Sequence, residues 1–189
     1  MKTEVIWQQL IEGGTEHLIL RQGARIAAEG LAVGVLQGAV YRIQYQIVCN
    51  AAWHVARVKI RDLLNRKEIA FYPGPEGRWI HDPGPAFDAL QRCTDVDIMV
   101  TPFTNTLAIR RLNLAPGESR EIAVVYVRVP GLDLSSLEQR YTCLSQDPQG
   151  GVYKYENLET GFTSDLKVDA DGLVVDYPGI FKLAWKKSE

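Results

Sequence analysis

A mostly β fold, built on one large antiparallel sheet that curls over its own apolar face, is what this 189-residue sequence predicts. Three observations carry that expectation. Segments of alternating character recur, as in Val40–Val48, where Tyr41, Ile43, Tyr45 and Ile47 fall on one face and Arg42, Gln44 and Gln46 on the other. Turn clusters such as Pro73–Gly77, Ala115–Glu118 and Asp169–Gly172 separate them. Helix start signals are few. A sheet with that many strands must curl to cover its apolar side, which leaves room on the concave side for a helix or a ligand.

Taken in order, Glu16–Arg21 opens the strand pattern. Gly30–Leu36 is apolar and punctuated by Gly30 and Gly34, which predicts a bend or bulge. Val40–Val48 is half-buried, and His54–Ile60 sets Val58 and Ile60 against Arg57 and Lys59. Lys67–Tyr72 and Arg78–His81 flank Pro73–Gly77 as a hairpin. Leu107–Leu114 alternates as a strand, Ala115–Glu118 turns, and Glu121–Val129 returns. Gly151–Asn157 follows. Phe162–Val168 and Leu173–Tyr177 make a last hairpin, whose Asp171-Gly172 pair suits a tight turn that needs positive φ. Pro178-Gly179 turns the chain into Ile180–Trp185, and Lys186-Lys187 reads as a solvated tail. Three short segments are helix candidates, of which only one need be real: Pro102–Leu107, with Thr101 and Pro102 in N-cap and N1 chemistry; Ser135–Ser145, with Ser136 as N-cap; and Ala86–Arg92. The whole chain, 1–189, reads as one domain. Its halves, about 1–100 and 101–189, share a layout without a sequence repeat that establishes duplication.

Composition narrows the function. Hydrophobic residues make up 46 %, charged residues 23 %, and the net charge of −2 argues against a nucleic-acid partner. Met1–Gly14 lacks the cationic start and apolar run of a signal peptide, and no apolar stretch reaches membrane-spanning length, so a cytoplasmic protein without an integral membrane segment is expected. Cys49, Cys93 and Cys143 are odd in number and far apart, which predicts free thiols. His17, His54 and His81 lack metal-ligand spacing, and no nucleophile elbow, P-loop or dinucleotide fingerprint is present. Asp169-Ala170-Asp171-Gly172 begins like a calcium loop, but Leu173 and Val175 stand where oxygen ligands belong. No catalytic residue, metal or cofactor is therefore assigned.

The informative stretch is Cys93–Leu112. Asp95 and Asp97, two apart, face one side of a strand and repel unless a cation, a donor or a proton intervenes. They read either as acceptors for ligand hydroxyls or as part of an internal network in which Asp97 pairs with Arg110 or Arg111. On a strand those two arginines point to opposite faces, Arg110 inward. Thr101, Thr104, Asn105 and Thr106 suit a hydroxyl-rich ligand, and equally suit caps and turn bonds. Trp53, Trp79, Tyr141, Tyr153, Tyr155 and Tyr177 are sugar-stacking faces or core, with Tyr141, beside Arg140, foremost as a ligand contact.

This stretch, together with Glu138–Thr142, Tyr153–Tyr155, Gly161-Phe162 and Val174–Phe181, resembles the putative glycolipid-binding protein family of bacteria. The resemblance runs from about Glu16 to Phe181. It implies an antiparallel sheet wrapped around a single helix, similar to the half-barrels of bacterial lipoprotein carriers, a tight homodimer, and an acidic pocket for a glycolipid or another sugar-containing amphiphile. The residues expected to bind it are Asp95, Asp97, Thr101, Thr104, Asn105, Arg110, Arg140, Tyr141, Tyr155 and Asp176. Where the family carries proline, this chain has Ala108, which predicts a looser turn. The expected function is non-catalytic binding. The alternatives are a structural homodimer with a filled interior and a hydrolase using Asp95 and Asp97 as an acid–base pair.

Overall fold

The computed structural model describes every residue, Met1–Glu189. A first meander runs through β1 (Lys2–Gln9), β2 (Gly14–Gln22), β3 (Arg25–Leu36), β4 (Ala39–Asn50), β5 (Val55–Asp62), β6 (Lys67–Pro73), β7 (Trp79–His81) and β8 (Ala86–Phe87). A 3-10 turn at Asp88–Leu90 leads to β9 (Cys93–Ile98) and then to the one α-helix, α1 (Phe103–Leu112). The second meander is β10 (Ser119–Arg128), β11 (Asp133–Asp147), β12 (Gly150–Asn157), β13 (Thr163–Asp169), β14 (Val174–Tyr177) and β15 (Phe181–Ser188). All strands join one sheet in the order β8-β7-β6-β5-β4-β3-β2-β1-β15-β14-β13-β12-β11-β10-β9. Pairing is antiparallel throughout except where β9 lies parallel to β10. No helix is long and apolar enough to cross a membrane.

The sheet curls without closing, and β8 and β9 remain its edges. Side chains bridge the seam. The Trp79 indole of β7 donates to the Cys93 carbonyl of β9 at 2.8 Å, and the Lys67 ammonium of β6 reaches the Gly131 carbonyl beyond β10. Alternate residues face inward, as strand geometry dictates: Val5 and Trp7 on β1, Leu18 and Leu20 on β2, Tyr41 to Ile47 on β4. Helix α1 fills the concavity, and Phe103 through Ile109 are all buried, the mark of a helix packed on nearly every side. Phe103 and Leu107, one turn apart, pack into the core of the first meander. Ala108 and Ile109 pack into a second core of Tyr141, Tyr153, Tyr155 and Tyr177.

Several expectations give way here. Leu107–Leu114 is not a strand; the helix expected over Pro102–Leu107 continues through it to Leu112 and ends at Asn113, which adopts the left-handed conformation (φ 45) and bonds back to Ile109. Its apolar residues satisfy both periods, and burial on two sides selects the helix. Ala108 therefore occupies a helix interior rather than a loosened turn, a position where alanine is favourable. Ser135–Ser145, one of the three helix candidates, lies within β11, so Ser136 caps nothing. Ala86–Arg92 supplies β8 and the Asp88–Leu90 turn rather than an α-helix. β1 went unread because its alternation is carried by polar as well as apolar residues, with Thr3 and Gln9 buried beside Val5 and Trp7. Lys186 is no tail residue: on β15 it pairs with Asp169 and Asp171, both at 2.6 Å.

Gly30 and Gly34 do not bulge β3, whose register with β2 and β4 is unbroken. They make room. A Cβ on Gly30 would stand 2.2 Å from the Tyr45 ring, and one on Gly34 would stand 2.6 Å from the Tyr41 hydroxyl. The two tyrosines of β4 thus lie flat across bare backbone, with their hydroxyls directed at β1 and β2.

Candidate functional site

The N-terminal half of α1 and the inner face of the second meander enclose a cavity of about 310 Å³. Asp97 of β9 faces it and is the only charged residue on its wall. The parallel pairing of β9 with β10 sets Asp97 opposite Tyr126. Thr104 of α1 donates to Asp97 Oδ1 at 2.9 Å, and Gln139 of β11, fully buried, donates to Oδ2 at 2.6 Å. Asn105 donates to the Tyr141 hydroxyl at 2.9 Å, which in turn donates to Gln139 Oε1 at 3.4 Å. These five side chains form one connected run of bonds, so Asp97 stands in a fixed orientation.

Burial pushes the Asp97 carboxyl above the usual carboxylate range, and the bonds from Gln139 and Thr104 pull it partly back. Burial, reinforced by the charge of Asp97, pushes the Tyr126 phenol to about 12 and drives those of Tyr141, Tyr155 and Tyr177 higher as well. These phenols stay neutral and remain hydrogen-bond donors near neutral pH. Tyr155 stacks edge-on against Tyr141 and Tyr177, with ring centroids 5.5 and 6.2 Å away. Toward solvent the wall is mainly apolar, with Ile11, Leu36, Met99, Phe162 and Ile180, and carries Asn157 and Thr160 at the rim. Ile11 and Phe162 are both 43 % exposed, so the apolar lining continues outward to the surface.

A second polar group lies beside the cavity on the β1 and β2 side. Glu16, 1 % exposed, accepts a bond from Tyr45, whose ring crosses Gly30, and another from Thr101 at 2.8 Å. Its Oε2 has no partner. Burial raises its carboxyl to about 7 despite both bonds. The Thr101 oxygen also accepts the Phe103 backbone N–H at 3.0 Å, which caps α1. Gln9 lines the cavity and accepts from Tyr41 across Gly34.

The residues expected to bind ligand fall into three groups. Asp97, Thr101, Asn105 and Tyr155 line the cavity, while Thr104 and Tyr141 support it from behind. Asp95 shares the inward face of β9 but is sealed by Arg111, whose Nε and Nη2 donate to its two oxygens at 2.8 and 2.6 Å. The internal ion pair therefore joins Asp95 to Arg111. Asp97 pairs with neither arginine, and Arg110, which the strand reading turned inward, is exposed on α1 with its guanidinium 5.4 Å from the centre of the Trp53 ring. Arg140 lies on the outer face of β11, where it pairs with Glu121 and Glu156. Asp176 lies in the outward register of β14, opposite Lys167 and Lys182 on the neighbouring strands. No group of three or more His, Cys, Asp or Glu side chains gathers where a metal ion would sit.

Gln139 and Tyr126 belong to the site without a signal in the residue pattern of Cys93–Leu112, and Tyr177, a candidate stacking face, lines the cavity. Strand parity was the available signal. Gln139 is two residues from Tyr141 and shares its face, whereas Arg140 between them must point away; Tyr177 stands in the same relation to Asp176.

No curated protein matches the chain. Among solved structures, the crystal structure at 1.80 Å of a DUF1089 family protein from Pseudomonas aeruginosa is similar, with 34% sequence identity and a TM-score of 0.74 over 88% of this chain and 91% of that one. The family model described as "Putative glycolipid-binding" matches residues 4–182. With that match spanning nearly the whole chain, and a relative of the same fold beside it, this protein belongs to the glycolipid-binding family so described.

Proposed function

We propose that the protein binds, without converting it, an amphiphile whose sugar-bearing head contacts Asp97 in the interior cavity and whose apolar part leaves past Phe162 and Ile11. The observation that carries this reading is the cavity itself: one fixed carboxylate with the Asn105 amide and neutral tyrosines at the inner end, and a mainly apolar wall from there to the surface. A carboxylate accepts hydroxyl protons, and its uncompensated charge disfavours anionic head groups, so this acidic pocket suits a neutral sugar. The volume lies at the lower end of ordinary ligand sites, which fits a head group and the first part of a chain. A hydrolytic Asp95–Asp97 pair is disfavoured because Arg111 occupies both oxygens of Asp95. A filled, purely structural interior is disfavoured by the open volume beside Asp97.

Native mass spectrometry on protein purified gently from its own host tests the reading. The expected result is a retained lipid or glycolipid mass that denaturing extraction removes and that Asp97→Asn reduces. Rebinding of the extracted ligand should weaken as the pH falls through the raised Asp97 value, since only the carboxylate accepts two hydroxyl protons. A clean apo mass, with no calorimetric binding of host lipid extract or a neutral glycolipid panel, would remove this function.

A further inference from the structure

A second cavity, of about 200 Å³, opens at the other end of α1 and is distinct from the one that holds Asp97. Its floor is the last turn of the helix, with Arg110 and Asn113. Its sides are the β11–β12 hairpin, with Gln146 and Asp147, and the turn between β13 and β14. Tyr153 of β12 stands at the back, 4% exposed. Tyr153 and the Tyr155 of the first cavity are two apart on one strand face, so the same row of aromatic side chains serves both ends of the helix.

Most of the polar side chains here have bonding capacity to spare. The side chains of Arg110, Asn113 and Gln146 bond to no other group in the protein, and the Tyr153 hydroxyl meets only the Cys143 thiol. Asp147 uses one oxygen for the backbone N–H groups of Gln149 and Gly150, at 2.7 and 3.1 Å, and leaves the other free. The arrangement is nonetheless built. Arg110 is held on one side by the Trp53 ring and passes over the bare Cα of Gly172, where a Cβ would stand 2.7 Å from its Cδ. Gly172 also takes φ +76, so no other side chain suits the position. Gly150 and Gly151 leave the opposite wall without side chains, and Cβ atoms there would meet the Val168 and Ser145 carbonyls at 2.0 and 2.8 Å.

The donor set defines the ligand. Arg110 disfavours a cation and Asp147 disfavours an anion, while the charge of Asp169 is paired with Lys186. What remains favourable is a group that donates and accepts at once without net charge, which is the chemistry of hydroxyls. The volume falls below that of drug-sized sites and admits a single ring. We infer that the cavity between the C-terminal end of α1 and the β11–β12 hairpin is a second binding site, for a small, neutral, hydroxyl-rich ligand one sugar ring in size. The inference is independent of what occupies the interior cavity. The ring is either a free monosaccharide or the exposed sugar of a larger glycoside.

Titration of isotope-labelled protein followed by amide NMR tests the inference. The probes are glucose, galactose, mannose and N-acetylglucosamine, an alkyl glucoside, and, as charged controls, inorganic phosphate and glucuronate. At least one neutral sugar should shift the amides of Gly150, Gly151 and Gly172. Arg110→Met and Tyr153→Phe should each weaken that binding about tenfold or more, the loss expected when a hydrogen bond to a charged or buried group is removed. Asp97→Asn should leave it unchanged. An alkyl glucoside that binds no tighter than glucose identifies the ring alone as the ligand, and one that binds much tighter identifies the head of a larger molecule. The inference is overturned if no sugar shifts these amides up to its solubility limit, if phosphate shifts them more strongly than every sugar, or if both variants bind the sugar as wild type does while retaining native spectra.

Discussion

Arg111→Met lowers the stability of the protein by about 3–5 kcal/mol, the largest effect expected of any single substitution at the polar centre. Asp95 is 1 % exposed and Arg111 13 %, so neither charge is hydrated enough to stand alone. Removing the guanidinium leaves a carboxylate in the core with only Thr94 as a donor. The cost is that of an unpaired buried charge rather than the net worth of the pair. The double variant Asp95→Leu/Arg111→Met should therefore recover most of the loss, because two apolar side chains of similar volume replace the ions. Urea denaturation of the two variants and the wild type decides the matter. A single-variant loss below about 1 kcal/mol would mean that the pair behaves as an exposed one and that Asp95 is reached by water.

Glu16→Gln acts in the opposite direction, and only at higher pH. Burial beneath Tyr45 and Thr101 moves the Glu16 carboxyl from 4.5 to about 7. The folded value lies above the unfolded one, so between them the folded protein holds a proton that the unfolded chain has released. Stability is then fully present below the unfolded value and falls as the pH rises towards 7, by about 3 kcal/mol in all at roughly 1.4 kcal/mol per unit. Glutamine mimics the protonated acid in shape and cannot ionise. Near pH 8 the variant should exceed the wild type by about 1–3 kcal/mol, and near pH 4.5 the two should coincide. Parallel thermal melts across that range check the sign. Equal pH slopes in the two proteins would show that Glu16 is solvated in the native state.

Much of the sheet was legible because alternation on β4 and β5 and the Asp171-Gly172 turn are local signals, and the strands at those places form where the pattern put them. The errors cluster where burial is two-sided or polar. Leu107–Leu114 alternates, yet it lies in a helix packed against two cores, so its apolar residues are not confined to one stripe. β1 carries buried Thr3 and Gln9, which a hydrophobic pattern cannot see. For the site, the grouping of Asp97, Thr104 and Asn105 followed from the density of polar residues in one stretch. Glu16 was invisible as part of it, because its link to Thr101 spans 85 positions and depends on Gly30 leaving space for Tyr45. Long-range partnership of this kind is set by topology, which no local period encodes.

The meeting of β1 and β15 in the middle of the sheet has a kinetic and mechanical consequence. Either meander can zip up from hairpins between sequence neighbours, but their junction joins segments separated by nearly the whole chain, such as Thr3 and Ser188. Loop-closure entropy opposes that contact until everything else is in place, so the central joint is the step that makes assembly slow. Lys2 and Glu189 exchange backbone bonds at 2.9 and 2.8 Å at one end of this antiparallel pair. A force applied through those two residues therefore peels the ladder one rung at a time instead of shearing all its bonds at once. The centre of the sheet, buried on its inner face and flanked on both sides by paired strands, is in this topology also the easiest place to pull the molecule in two.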